Sequence, residues 1–361
     1  MRRLSLGTAI AASLLALGGA ASAAANSAKA GALPSGARDA AAAIVAQGVP
    51  GLAVRAARGG RDVVRADVGT IDPAAPLPIA SASKWLTAAV VMSLVDEGKL
   101  SLDAPVSTWL RDIAPAAGAV TLRQVLAQTS GLGPGGTDIK QDYRITLAQS
   151  AKEIAGTPPA TSPGSTFVYG GPGFQLAGAA VEAVTGKPWE AVFQERIAGP
   201  LAMRHSFWTH ISLRETSKTA APEVRNPTLQ GGVIATADDY MHFLEMLAGR
   251  GVYKGHRVLS RAAVDAMLTD QTAGAVRTPS GVALVDSGHY ALGSWCETWD
   301  GARCIRNSSL GAWGVYPWLD RDAKLYGIVF LYEANDAFRL LPHTRAIVAD
   351  IVATHAPAKR R

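Results

Sequence analysis

Ser81-Ala82-Ser83-Lys84 is the only Ser-x-x-Lys in the chain, and the chemistry it suits is acyl transfer. Three residues apart on a helix, the hydroxyl and the amine share one face. In the first turn of that helix Ser81 sits where the macrodipole favours a developing anion. A serine hydroxyl is a poor nucleophile until a base takes its proton. A lysine serves as that base only where burial or nearby positive charge disfavours its charged form. Trp85 and the apolar residues after it offer such surroundings. Taken alone, the tetrad reads equally as an N-cap serine followed by a surface lysine.

Other chemistries find less support. Gly131 to Gly136 satisfies Gly-x-Gly-x-x-Gly, but it follows a helix and contains proline, so it reads as a turn. There is no Gly-x-Ser-x-Gly, which disfavours an α/β-hydrolase elbow, and no His-Glu-x-x-His or complete Walker loop. The seven histidines are scattered, so no metal cluster is evident and no cofactor is expected. His289, just before a strand, reads as structural. The net charge is +6, yet no basic stripe carries interleaved aromatics, so nucleic acid is not an expected partner. The two cysteines, Cys296 and Cys304, flank a turn at Gly301. In an oxidising compartment such a pair tends to bridge, the alternative being two reduced thiols.

These residues need elements to hold them. Arg2 and Arg3, an apolar run from Leu4 to Ala20 and Ala21-Ser22-Ala23 read as a signal peptide over 1–23. Export to the periplasm or outside the cell follows, with no stable membrane span. Residues 24–37 read as a flexible lead-in and 38–355 as the main domain. A helix is expected from Arg38 to Gln47. Strands are expected at Gly51–Ala57 and Arg61–Val68 around the turn signal Gly59-Gly60. A helix should run from Ser81 to about Glu97, its apolar residues at helical spacing. Residues from about 101 to 234 are helices and loops, with a helix begun by Thr121 and another over Gln175–Thr185. Further helices are expected at Ala237–Ala248, Ser260–Leu268 and Leu341–Thr354. Tyr290–Thr298, Trp313–Leu319 and Lys324–Tyr332 read as strands. The pattern is one antiparallel sheet built from both ends of the chain, with a helical lobe inserted.

The order of several segments resembles the serine β-lactamase and penicillin-binding-protein superfamily, in its class C β-lactamase, DD-peptidase and family VIII carboxylesterase branch. Ile79 to Lys84 looks like the nucleophile segment. Asp96 to Asp103 resembles the stretch that follows, as does Thr121 to Leu126 leading to Thr129-Ser130-Gly131-Leu132. Pro163-Gly164 before Tyr169, then Gly178, Glu182 and Thr185-Gly186, are similar again. So are Gly231-Gly232 and Thr236 to Asp239. The resemblance implies an α/β fold, β-lactamase/transpeptidase-like: an antiparallel sheet of about five strands flanked by helices, plus a helical lobe.

It also implies roles. By position Tyr169 is the tyrosine of the Tyr-x-Asn motif, sharing a proton with Lys84; its plainer reading is a core tyrosine in a turn. Gly171 stands where asparagine is usual, removing an amide that touches substrate and lysine. The third motif, Lys-Thr-Gly or His-x-Gly in the family, is matched by Ser309-Leu310-Gly311 on a strand lining the site. The backbone N–H groups of Ser81 and Ala312 would form the oxyanion hole. Gly171, Ser309, Gly311 and Trp313 are thus the expected substrate-binding residues. The usual cation of the third motif is absent, which favours an uncharged ester or amide. Arg303 or Arg306 would be its replacement, unless both are solvated hairpin charges. Trp313 and Trp208 read either as walls of an apolar pocket or as core aromatics. The leading expectation is therefore a carboxylesterase or amidase acting through an acyl-enzyme on a small-molecule ester, amide or peptide. The alternatives are a class C-like β-lactamase or D-Ala-D-Ala carboxypeptidase and, in another class, a non-catalytic binder of cell-wall fragments.

Overall fold

The computed structural model describes residues 31–132, 142–218, 223–277, 289–332 and 337–357. The leader and the Gly133–Gly136 turn fall outside them. The main sheet has six antiparallel strands in the order β3-β4-β5-β6-β1-β2. Here β1 is Gly51–Arg58, β2 is Arg61–Gly69 and β3 is Trp295–Asp300. Then β4 is Arg303–Ser308, β5 is Val315–Asp320 and β6 is Leu325–Tyr332. The two ends of the chain meet where β1 pairs with β6, with Val54 opposite Val329. Gly59 and Gly60 both take positive φ, as the two-residue turn joining β1 to β2 requires.

The longer helices are α1 (Ser35–Ala46), α2 (Ser83–Asp96), α3 (Leu147–Ala155), α4 (Gly173–Thr185), α5 (Ala237–Ala248) and α6 (Leu341–His355). Strand side chains alternate between faces, and β1 shows why all its residues but the last are buried. Leu52, Val54 and Ala56 pack towards α1 and α6, with Ala41, Ile44, Ile347 and Ile351. Ala53 and Ala57 join the opposite layer, with residues of α2 and α5. That second layer continues into the helical region through Leu147, Phe174 and Trp189. In α2 every residue from Ser83 to Leu94 is buried. A helix apolar on all sides belongs in the centre of a core, and this one carries Lys84 there.

The sheet has one strand more than the sequence suggested, and β4 is the addition. Its Arg303 and Arg306 read as hairpin charges, whereas they alternate with buried Cys304 and Asn307 along a strand. Helix α1 begins at Ser35, and Gly31 already bridges Val64. The helix over Leu122–Leu126 is short, but Thr121 and Gln124 close the reciprocal capping box at its start.

Candidate active site

Ser81 lies in a 3-10 turn, Ala80–Ala82, immediately before α2. The helix thus starts two residues later than its periodicity suggests. Ala80 sits at φ 47°, a left-handed conformation that L residues with a Cβ adopt at a cost. The kink presents the Ser81 side chain ahead of the helix. Lys84 Nζ lies 2.9 Å from Ser81 Oγ and donates to the Gln230 carbonyl at 3.0 Å. Only 2% of Lys84 is exposed. Its amine stands 4.9 Å from the Tyr169 ring centre and 5.8 Å from that of Phe174.

Tyr169 closes the cluster and shares a hydrogen bond with the Ser81 side chain. Desolvation pushes its phenol up to about 12, against the lowering effect of that bond. The ring stacks on Trp295 at 4.9 Å between centres and meets the edge of Tyr290 at 6.0 Å. The loop carrying it is clamped by Gln128. Its Nε2 donates to the Gly170 carbonyl at 3.1 Å, and its Oε1 accepts from the Gly170 N–H at 3.0 Å. The Gln128 carbonyl also accepts from Val168 N.

A second strap holds the other side of α2. Thr87 Oγ1 donates to the Leu229 carbonyl at 2.6 Å, and Val233 N donates to Ser83 Oγ at 3.1 Å. Ile79 N donates to the Val233 carbonyl at 3.0 Å. Gln175 of α4 fixes the approach to this strap, accepting from Leu229 N and donating to Asn226 Oδ1 and the Pro227 carbonyl.

The Ser309–Gly314 segment is the turn between β4 and β5, just past the strand end rather than on it. Ser309 Oγ donates to the Ser81 carbonyl at 3.2 Å. A Cβ at Gly311 would fall 2.2 Å from the Ile79 carbonyl oxygen, so only glycine lets the turn approach the nucleophile segment this closely. The N–H of Ala82 goes to Ile79 and that of Gly311 to Val315. Among the described residues no hydrogen bond uses the N–H of Ser81 or Ala312. The side chain of Gly171's neighbour in space, Gln230, fills the place where a side chain at 171 would stand.

Other expected residues lie elsewhere. Arg306 is bound to Asp320 at 2.8 Å and Arg303 to Asp322, so neither replaces the missing cation. Trp208 is a core residue, edge-on to Trp189 and Phe193. Trp313 is partly exposed, with the Arg214 guanidinium 5.2 Å from its ring centre. His289 is paired with Asp270 at 2.6 Å and lies against Trp299. Cys296 and Cys304 are joined by a disulfide, their Cα atoms 5.2 Å apart. Among the described residues no group of three or more His, Cys, Asp or Glu could hold a metal. A cavity of about 600 Å³ lies apart, lined by Arg58, Glu245, Asp265, Arg321 and others. None of its lining residues belongs to the Ser81 cluster, so the site is recognised by converging side chains rather than by volume. Sequence reasoning missed Gln128, Gln230, Tyr290 and Trp295, none of which sits in a motif of its own.

Residues 37–350 match the family model described as Beta-lactamase, and the chain belongs to that family. It is similar to a protein of Bacteroides dorei taken for a β-lactamase, at 30% identity and a TM-score of 0.75. That match covers 87% of this chain and 98% of the other. It is 30% identical over 236 residues to penicillin-binding protein 4 of Amycolatopsis lactamdurans, covering 60% of this chain and 62% of that one. It is 33% identical over 147 residues to esterase EstB of Burkholderia gladioli, covering 35% of this chain and 36% of that one. The chain spans about three fifths of the length of the Mycobacterium tuberculosis and Amycolatopsis relatives it matches.

Proposed function

We propose that this protein is an exported serine hydrolase that cleaves carboxylic esters or amides through an acyl-enzyme. The observation that carries this reading is the Lys84 amine, 2% exposed and 2.9 Å from Ser81 Oγ. Ser81 Oγ attacks the substrate carbonyl while its proton passes to Lys84. The N–H groups of Ser81 and Ala312 receive the oxyanion. Tyr169, a neutral phenol, passes a proton to the leaving group, and Lys84 resupplies it. Water then attacks the acyl carbonyl by the reverse route and frees Ser81. A non-catalytic binder of cell-wall fragments would have no use for this buried Ser-Lys-Tyr cluster.

An uncharged substrate is favoured because the third motif brings a serine, not a cation, to the nucleophile, and the Ser309 hydroxyl lies within reach of the Ser81 and Gly293 carbonyls. A carboxypeptidase or β-lactamase is the second reading. Arg214 over Trp313 is the observation in its favour, as a cation beside the third-motif turn. A relative from Escherichia coli, 28% identical over 197 residues, carries the name D-alanyl-D-alanine-carboxypeptidase/endopeptidase AmpH. The disulfide fits an oxidising compartment and supports export with removal of residues 1–23.

The test is hydrolysis of p-nitrophenyl butyrate beside nitrocefin, by the wild type and by Ser81→Ala. Ester turnover lost in Ser81→Ala with little nitrocefin cleavage is the expected result. Fast nitrocefin cleavage would move the assignment to β-lactamase. Silence on both, with no labelling of Ser81 by a fluorophosphonate, would overturn the hydrolase reading.

A further inference from the structure

Gly171 leaves no gap in the wall beside Lys84. A Cβ built there would fall 0.8 Å from Gln230 Oε1 and 1.7 Å from its Cδ. A side chain at 171 and the present position of Gln230 therefore exclude each other. Gln230 arrives from the opposite wall, on the strap between Leu229 and Val233 that is bonded along α2. Its own carbonyl accepts from Lys84 Nζ at 3.0 Å. One residue thus holds the amine with its main chain and reaches the Tyr169–Gly171 loop with its carboxamide. That carboxamide has a buried oxygen, Oε1, with no hydrogen-bond partner among the described residues. Buried acceptors are nearly always satisfied, and one left open beside reactive groups marks a place kept for a donor.

We propose that Gln230 supplies, from the far side of the site, the carboxamide that Gly171 lacks. It is a positioning and specificity residue: its main-chain carbonyl holds the Lys84 amine, and its carboxamide meets the polar atoms of a neutral acyl group. The glycine at 171 is the complement that makes room for it. This inference rests on the hydrolase reading above. An amide carried on the strap responds to whatever moves the strap, whereas one at 171 would be fixed to the tyrosine loop.

A double-mutant cycle tests it with p-nitrophenyl butyrate, following kcat and KM separately alongside melting temperature. Gln230→Ala keeps the main-chain carbonyl that holds Lys84 and should lower kcat/KM by roughly ten- to a hundredfold through loss of the carboxamide that meets the acyl group, with melting little changed. Gly171→Asn alone should lose at least as much, because the new side chain meets Gln230. The double variant Gly171→Asn/Gln230→Ala should regain about tenfold over Gly171→Asn, since the amide then stands on the other wall. Gln230→Glu keeps the shape and adds a charge. It should move the acid limb of kcat/KM upward by about one pH unit, because a carboxylate favours a protonated amine. That shift reads the closeness of the side chain to the amine; a glutamine turned away from the reacting groups would leave the limb in place. An active wild type with Gln230→Ala within twofold of it, or an unmoved acid limb in Gln230→Glu, overturns this inference and leaves the hydrolase reading standing. A wild type silent towards both ester and fluorophosphonate takes down the hydrolase reading, and this inference with it.

Discussion

Tyr169 keeps its proton because of where it stands. Its phenol is pushed up to about 12 by desolvation, so at any ordinary working pH it is a neutral donor rather than a phenolate. In the mechanism we propose, a residue of that kind hands over a proton and is resupplied by Lys84. Loss of the hydroxyl in Tyr169→Phe should lower kcat by about 10²–10⁴, the usual span for a positioned acid or base, with KM changed less than threefold. The wild-type kcat/KM profile should show no alkaline limb near pH 10 that Tyr169→Phe removes, because the phenol begins to ionise only towards its raised value. A limb near 10 that disappears in the variant would contradict the neutral-donor role. At this scale the sequence was legible where chemistry demands a spacing: Ser81 and Lys84 are three apart, and a helix brings them together. It was silent on Gln128 and Gln230. Gln128 sits at φ 64° and reaches with its side-chain amide to Gly170, 42 residues on, and Gln230 matters because of a glycine far away in the chain. Neither leaves a local pattern.

The elements that brace the site store their own pH response. Glu190 opens the short helix Trp189–Phe193. Its carboxylate oxygens accept from Gln194 Nε2 and from Trp208 N, both at 2.8 Å. Burial nevertheless raises the carboxyl from 4.5 to about 7. The sign follows from linkage. Between about 4.5 and 7 the folded protein holds a proton that the unfolded chain has released, so stability falls as pH rises through that window. A shift of this size corresponds to an upper figure of about 3 kcal/mol. Urea unfolding at pH 5 and pH 7.5 should therefore show the wild type losing roughly 2–3 kcal/mol relative to Glu190→Gln, whose amide does not titrate. Parallel pH dependence in the two proteins would show that Glu190 ionises normally. Helix positions were the most readable elements. Ala237–Ala248 is observed with the expected bounds, and Gly186 ends α4 in the left-handed conformation that its sequence context suggests. The start of α2 was less readable, because the strained turn at Ala80–Ala82 is imposed by the straps around it rather than by local propensity.

Across the whole molecule, the sheet is closed by strands from the two ends of the chain. That arrangement was visible in the sequence as two strand patterns early and several late. The sheet of about five strands was legible; β4 alone was not marked, because polar residues alternate with buried ones along it and imitate a loop. That edge also bears on the site. Strand β3 is one of the two edge strands, and its first residue, Trp295, carries the stacked face of Tyr169. Edge hairpins tend to fray, and here the disulfide between Cys296 and Cys304 ties β3 to β4 one residue beyond that tryptophan. Closing a loop of sequence separation 8 is worth about 2.5 kcal/mol in the chain-entropy account. Trp295 is also held by its own packing, 2% exposed against Phe167 and Tyr290. The two supports separate cleanly. Cys296→Ala/Cys304→Ala should lose about 2–3 kcal/mol of unfolding free energy, while kcat/KM for an ester at 25 °C stays within threefold of wild type. Trp295→Ala should do the reverse to activity, lowering kcat by at least tenfold through a loosened Tyr169. If removing the cysteines alone costs activity as heavily as removing the tryptophan, the hairpin is held by the covalent tie and not by the aromatic cluster.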